Sequence, residues 1–185
     1  MAIQRNRDRQ GADRREMAAD GRWSVHLLAS IRIQFFMTQD GLYLDDMYVG
    51  QKFTSGTYRM DEDRIKDFAA EFDPQPFHLD EAAAQASVFR GLAASGWHTA
   101  AVAMRLLVTG GLPFASGAIG LGGEIEWPRP TRPGDTLHVE SEIVEILPSK
   151  SKPNQGIVRV RNTTMNQNGE PMQIFTGKIL VYKRA

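Results

Sequence analysis

The chain has 185 residues, 42% of them apolar and 24% charged, with a formal net charge of zero and no cysteine. That is the size and composition of one globular domain with room for a core. Zero net charge argues against a general nucleic-acid binder, and no apolar run reaches the length of a membrane span. The lack of thiols excludes cysteine nucleophiles, disulfides and thiolate metal sites, which suits a cytoplasmic protein.

Residues 1–36 differ from the rest. Seven arginines, at 5, 7, 9, 14, 15, 22 and 32, stand against four acids, and there is no apolar period before Trp23. Arg32 interrupts the more apolar Trp23–Phe36 and no small-residue cleavage site follows, which argues against a secretory signal. Asp8, Asp13, Glu16 and Asp20 are too many acids for an Arg-rich organelle presequence. The expectation is a disordered or non-native extension over 1–36 and one domain over 37–185.

Regular patterning starts near Tyr43. Thr54–Arg59 predicts a strand with a weak point at Gly56. Asp61 is a candidate N-cap for a helix whose apolar positions, Ile65, Phe68, Ala69 and Phe72, fall at i, i+3, i+4 and i+7. That helix delivers Asp73 at its end. In Asp73-Pro74-Gln75-Pro76-Phe77-His78 a carboxylate and an imidazole are five residues apart, so on a continuous helix they would point in separate directions. Pro74 and Pro76 push Asp73 and Gln75 out of helical geometry and supply the bend that can bring Asp73 and His78 together. The same spacing also fits a proline turn in which Asp73 caps an amide and His78 is a surface residue.

Asp80 can cap a short helix over Glu81–Phe89, closed by Gly91. Trp97–Val108 is apolar on nearly all sides, which predicts a helix buried on most of its circumference and ended by Gly110-Gly111. Strands follow over Ala118–Trp127, where Gly120, Gly122 and Gly123 permit close backbone approach, and over Thr136–Leu147. Ile157–Gln167 and Met172–Tyr182 read as a hairpin about Asn168-Gly169, with Pro171 at a strand start. Periodicity alone supports an α+β domain with a segregated helix.

The segment Asp73-x-x-Pro76-x-His78-x-Asp80, followed by an alanine-rich helix and Gly91-Leu92-Ala93-Ala94-Ser95-Gly96-Trp97-His98, resembles the signature of the MaoC-like dehydratases, the (R)-specific enoyl-CoA hydratases. The likeness runs from about Tyr43 to the C-terminus, and Pro130-Thr131-Arg132-Pro133-Gly134-Asp135-Thr136-Leu137 is similar to the family's Pro-x-x-x-Gly-Asp-x-Leu lead into a strand. Gln75 departs from the asparagine usual in the family.

The resemblance implies a hot-dog fold, an antiparallel sheet wrapped around one central helix, and a homodimer or dimer of dimers. It implies reversible addition of water to a trans-2-enoyl thioester to give an (R)-3-hydroxyacyl thioester, carried by coenzyme A or an acyl carrier protein, with no cofactor and no metal. Asp73 and His78 would share a water. Gly96, at the helix mouth, would donate its amide to the thioester oxyanion and, lacking a Cβ, let the carbonyl approach.

Ser95 is a candidate for orienting the thioester, although small residues before a helix usually serve geometry. Gln75 could hold the turn as asparagine does. Trp97, with Phe114 and Trp127, would set the depth of the acyl pocket, and Arg129 and Arg132 are candidates for the coenzyme A phosphates, although loop arginines are exposed by default. Met104 is expected in the core and His98 is expected to be a satisfied buried histidine. His26 and His138 are expected not to be catalytic. The competing readings are a hot-dog thioesterase and a non-catalytic acyl-binding subunit.

Overall fold

The computed structural model describes residues 41–185; the expected extension over 1–36, Met37 and His26 lie outside them. One antiparallel sheet is ordered β1-β4-β5-β6-β3, where β1 is Lys52–Thr54, β3 Ile119–Glu126, β4 Thr136–Pro148, β5 Gln155–Met165 and β6 Pro171–Tyr182. A further short strand, β2 (Tyr58–Arg59), also pairs with β4. The strand expected through Gly56 is thus two pieces. Ser55 N–H donates to the Val139 carbonyl at 2.9 Å while Ser55 Oγ accepts from the Val139 amide at 2.8 Å. A side chain has taken over a ladder bond, so the backbone steps out at Gly56.

Alternation along β4 buries Leu137, Val139, Ser141 and Ile143, and along β5 Val158 and Val160, against the long helix α4 (Gly96–Leu106). Val102, Ala103, Leu106 and Leu107 face that sheet in one cluster. Burying each of the larger aliphatic side chains contributes roughly 1.5–3 kcal/mol. The helix widens into a π turn, Leu107–Gly111, where Leu112 N–H reaches the Leu107 carbonyl at 2.8 Å and Gly110 takes φ 148°. This is a hot-dog fold.

Several expectations need correction. The helix is not buried all round: Trp97, Met104 and Val108 are 61%, 46% and 57% exposed. With Ala101 they share one face, because the curved sheet of a single chain covers only the other side. Met104 is therefore a surface residue. On the outer strand β3, Ile119 and Leu121 are exposed as well. Of its glycines only Gly123 serves close approach, since a Cβ there would lie 2.5 Å from the Thr176 carbonyl oxygen, while Gly122 is needed for φ 119°.

Helix α1 (Glu62–Phe72) buries Ile65 and Ala69 as its period predicts, but Phe72 is exposed. Asp61 occupies the N-cap position without capping; its carboxylate lies 3.9 Å from Arg59 and 3.7 Å from Arg64 instead. After α2 (Pro76–Leu79), α3 runs only over Glu81–Gln85, capped by Asp80 Oδ1 accepting from Ala83 N–H at 2.8 Å. Beyond Gln85 the chain turns back, with Ser87 Oγ and Gly91 N–H both donating to the Ala84 carbonyl at 2.7 and 3.2 Å, and the carbonyls of Phe89, Gly91 and Leu92 face Arg132. The β5–β6 hairpin closes with Asn166 N–H donating to the Glu170 carbonyl at 3.0 Å around Gln167–Gly169, and Gly169 takes φ 74°.

Candidate active site

Asp73 is the C-cap of α1, its N–H bonded to the Ala69 carbonyl at 2.9 Å. At φ −152°, ψ 67° it leaves the helix, as the following proline requires. Gln75 N–H then returns to the Asp73 carbonyl at 2.7 Å, a three-residue turn about Pro74. Pro76 opens α2 at its first position, where a missing N–H costs no hydrogen bond. The result places His78 Nε2 3.4 Å from Asp73 Oδ2, so the bend brings the two side chains together.

Both are fixed from the segment before α4. His78 is buried, and its Nδ1 lies 2.7 Å from the Ala93 carbonyl oxygen. A carbonyl only accepts, so Nδ1 carries a proton and a neutral ring presents the Nε2 lone pair to Asp73. Asp73 Oδ2 accepts from Ser95 Oγ at 2.6 Å and Oδ1 from Gln75 Nε2 at 2.8 Å. Burial pushes the Asp73 carboxyl up, but the hydrogen bonds from Ser95 and Gln75 and the charge of His78 outweigh it and hold the group below its ordinary value. With the ring neutral, the carboxylate and Nε2 side by side can together draw both protons of one water.

Ser95 is fully buried. Its hydroxyl donates to Asp73 and accepts from Trp97 N–H at 3.2 Å, capping α4. Gln75 likewise holds Asp73. Gly96 is the first residue of α4, where N–H groups have no carbonyl one turn back to bond. Its missing side chain makes room for a neighbour and not only for a ligand: a Cβ would lie 2.7 Å from the Trp127 ring. That indole donates to Gln173 Oε1 at 3.0 Å and meets Trp97 edge-on at 5.4 Å, whereas Phe114 packs in the core against Phe53.

Arg132 is engaged by the loop before α4. Its guanidinium donates to Gly91 at 2.6 Å, to Leu92 at 3.0 Å and to Phe89, all backbone carbonyls. Arg129 stays exposed, 3.6 Å from Glu170. His138 lies on β4, 3.9 Å from Glu140. His98 is buried but not satisfied: its Nδ1 has no partner among the described residues, and its ring stacks on Phe68 at 4.6 Å. Burial first, then the charge of Arg64, holds its pKa below the ordinary histidine value. His98 lines a shallow cleft of about 320 Å³ between α1 and α4 with Tyr58, Arg64, Phe68 and Phe72. Among the described residues no three His, Asp or Glu side chains converge as metal ligands.

The sequence spacing points to the Asp73–His78 pair but not to the links made by Ala93, Ser95 and Gln173. Those links join residues 15, 22 and 46 positions apart, and only the fold sets such distances.

The family model for the MaoC like domain matches residues 47–166. The uncharacterized protein YdeM of Bacillus subtilis (strain 168) is 35% identical over 142 residues, 75% of this chain and 96% of that protein. The crystal structure of a MaoC-like dehydratase from Rhodospirillum rubrum is 58% identical with a TM-score of 0.78, covering 78% of this chain and 99% of that one. The R-hydratase PhaJ1 from Pseudomonas aeruginosa is 30% identical with a TM-score of 0.63, covering 78% and 88%. The chain belongs to the MaoC-like dehydratase family.

Proposed function

We propose that this protein is a hydro-lyase that adds water reversibly across the 2,3 double bond of a trans-2-enoyl thioester, giving an (R)-3-hydroxyacyl thioester. The observation that carries the reading is the 3.4 Å approach of His78 Nε2 to Asp73 Oδ2, with each side chain fixed at its far side. Two acceptors that close repel unless a proton donor lies between them. A water donating one proton to each has its lone pair directed outward, ready to attack C3. As the water oxygen bonds to C3, the pair takes one of its protons and passes that same proton to C2, while the other stays on oxygen as the 3-hydroxyl; the two groups titrate as a unit, so acid and base belong to the pair. The negative charge on the thioester oxygen falls to the Gly96 amide and the positive end of α4. Trp97 and Trp127 wall the acyl side, and the exposed Arg129, in the loop before β4, is the candidate for a phosphate. No cofactor is required beyond coenzyme A, or an acyl carrier protein, as part of the substrate.

The similarity to an R-hydratase supports this chemistry. The apolar face of Trp97, Met104 and Val108, together with the open edge strand β3, supports a homodimer in which a second copy covers both. Among the described residues no helix is long and apolar enough to cross a membrane, and the proposed setting is the cytoplasm.

The test is a panel of trans-2-enoyl-CoAs assayed for hydration and for product chirality. Asp73→Asn and His78→Ala should each lower kcat by about 100-fold or more while retaining the thermal transition. Release of free thiol from a saturated acyl-CoA would favour a thioesterase, and unchanged function in both variants would favour a non-catalytic subunit.

A further inference from the structure

Each oxygen of the Asp73 carboxylate is engaged by a different neutral donor, Oδ2 by Ser95 and Oδ1 by Gln75. A carboxylate gripped at one oxygen still turns about its Cβ–Cγ bond, a broad and soft torsion. Gripped at both, from two different segments, it does not. Gln75 is itself held. Its N–H donates to the Asp73 carbonyl at 2.7 Å, its carbonyl accepts the His78 N–H at 2.9 Å, and at φ −84°, ψ 139° it occupies the N-cap of α2 between two prolines. The residue therefore touches Asp73 through both backbone and side chain, and His78 through its backbone. Its side chain is exposed, so core packing does not dictate where the amide points.

We propose that Gln75 is a positioning residue for the Asp73 carboxylate: its amide clamps Oδ1 so that Oδ2 stays turned toward His78 Nε2 and the reacting water. This assigns Gln75 to the catalytic carboxylate and not to the substrate, and it deepens the hydratase reading on which it rests. The sign of its effect follows from the chemistry. An N–H donor favours the ionised carboxylate, in line with the lowered pKa of Asp73, so its loss lets Asp73 protonate at higher pH.

The experiment compares wild type with Gln75→Met, which keeps length and removes the donor, and Gln75→Glu, which sets a second carboxylate against the first. Asp73 is titrated by its carboxyl carbon resonance without substrate, and kcat and KM are measured across pH. Asp73 should titrate lowest in wild type, higher in Gln75→Met and highest in Gln75→Glu. The acidic limb of kcat should move to higher pH in the same order, with kcat near neutrality about five-fold to ten-fold lower and KM changed by less than about two-fold. An unmoved Asp73 titration in Gln75→Met would overturn the inference, as would a rise in KM at unchanged kcat and unchanged pH profile, the signature of a substrate contact. If the titration shifts as expected while wild type hydrates no enoyl thioester, the clamp stands and the hydratase reading falls.

Discussion

Replacing Ser95 by alanine separates a side chain that orients the thioester from one that supports Asp73. Ser95 is fully buried, and its Oγ makes two hydrogen bonds: donation to Asp73 Oδ2 at 2.6 Å and acceptance from Trp97 N–H at 3.2 Å. Loss of an N-cap costs about 1 kcal/mol, and a hydrogen bond to a charged group contributes about 1.5–3 kcal/mol. The Asp73 side chain is 19% exposed, so water recovers part of the second contribution. The expected loss is about 2–3 kcal/mol at neutral pH, roughly a 5–10 °C fall in Tm for a domain of this size.

Urea unfolding at fixed protein concentration measures that loss, and its pH dependence identifies the cause. The pKa of Asp73 is lowered in the folded protein, so its contribution is complete above the unfolded carboxyl value near 4 and disappears as pH falls through the folded value. Without Ser95 the depression is smaller, so wild type loses more stability on acidification than the variant, and the difference narrows to the capping contribution. In an Asp73→Asn background Ser95→Ala should cost only about 1 kcal/mol, leaving a coupling energy of about 1–2 kcal/mol. A difference that is the same at acid and neutral pH, or a double variant that is simply additive, would refute the link.

Arg132→Lys should destabilise the fold by about 1–3 kcal/mol in the same assay and leave KM for an acyl-CoA nearly unchanged, since an ammonium cannot span the carbonyls of Phe89, Gly91 and Leu92. A rise in KM at unchanged stability would return Arg132 to the substrate. His98→Phe should stabilise by about 1 kcal/mol at pH 7, because it removes a buried Nδ1 with no partner and keeps the stack on Phe68. The advantage should grow as pH drops. The folded pKa of His98 lies below its unfolded value, so wild type loses stability once pH falls under about 6.5, until the folded value is passed. Equal slopes of stability against pH between 7 and 5 would contradict that.

The sequence shows the fold wherever local chemistry and tertiary packing agree. The alternation over Thr136–Leu147, the Asn168-Gly169 turn and the apolar run at α4 each specify their own structure, and the two prolines specify the bend that lets Asp73 and His78 meet. It is silent where one side chain answers to backbone groups far along the chain. Nothing about Arg132 as a loop arginine announces three carbonyls about 40 residues upstream. Phe72 fits the apolar period of α1 yet stays exposed, and Met104 fits a buried helix yet faces outward. An apolar string states that a face avoids water; it does not state which surface, or which chain, will cover it.

The proline bend and the helix mouth do different jobs in building the pair. The bend gives reach: it allows residues 73 and 78 to converge. It does not by itself fix either side chain, since an exposed loop carrying Asp and His samples many rotamers. Orientation comes from Ala93–Gly96. The Ala93 carbonyl sets the His78 tautomer at 2.7 Å, and the Ser95 hydroxyl sets one Asp73 oxygen at 2.6 Å. The next residue, Gly96, begins the helix. Four consecutive residues thus orient both side chains and, in the proposed reaction, supply the amide for the developing oxyanion. Because that segment is continuous with α4, which packs against β4 and β6, the relative placement of carboxylate, imidazole and amide is tied to the core of the domain. The proposed pair thereby gains the positional precision of a buried helix.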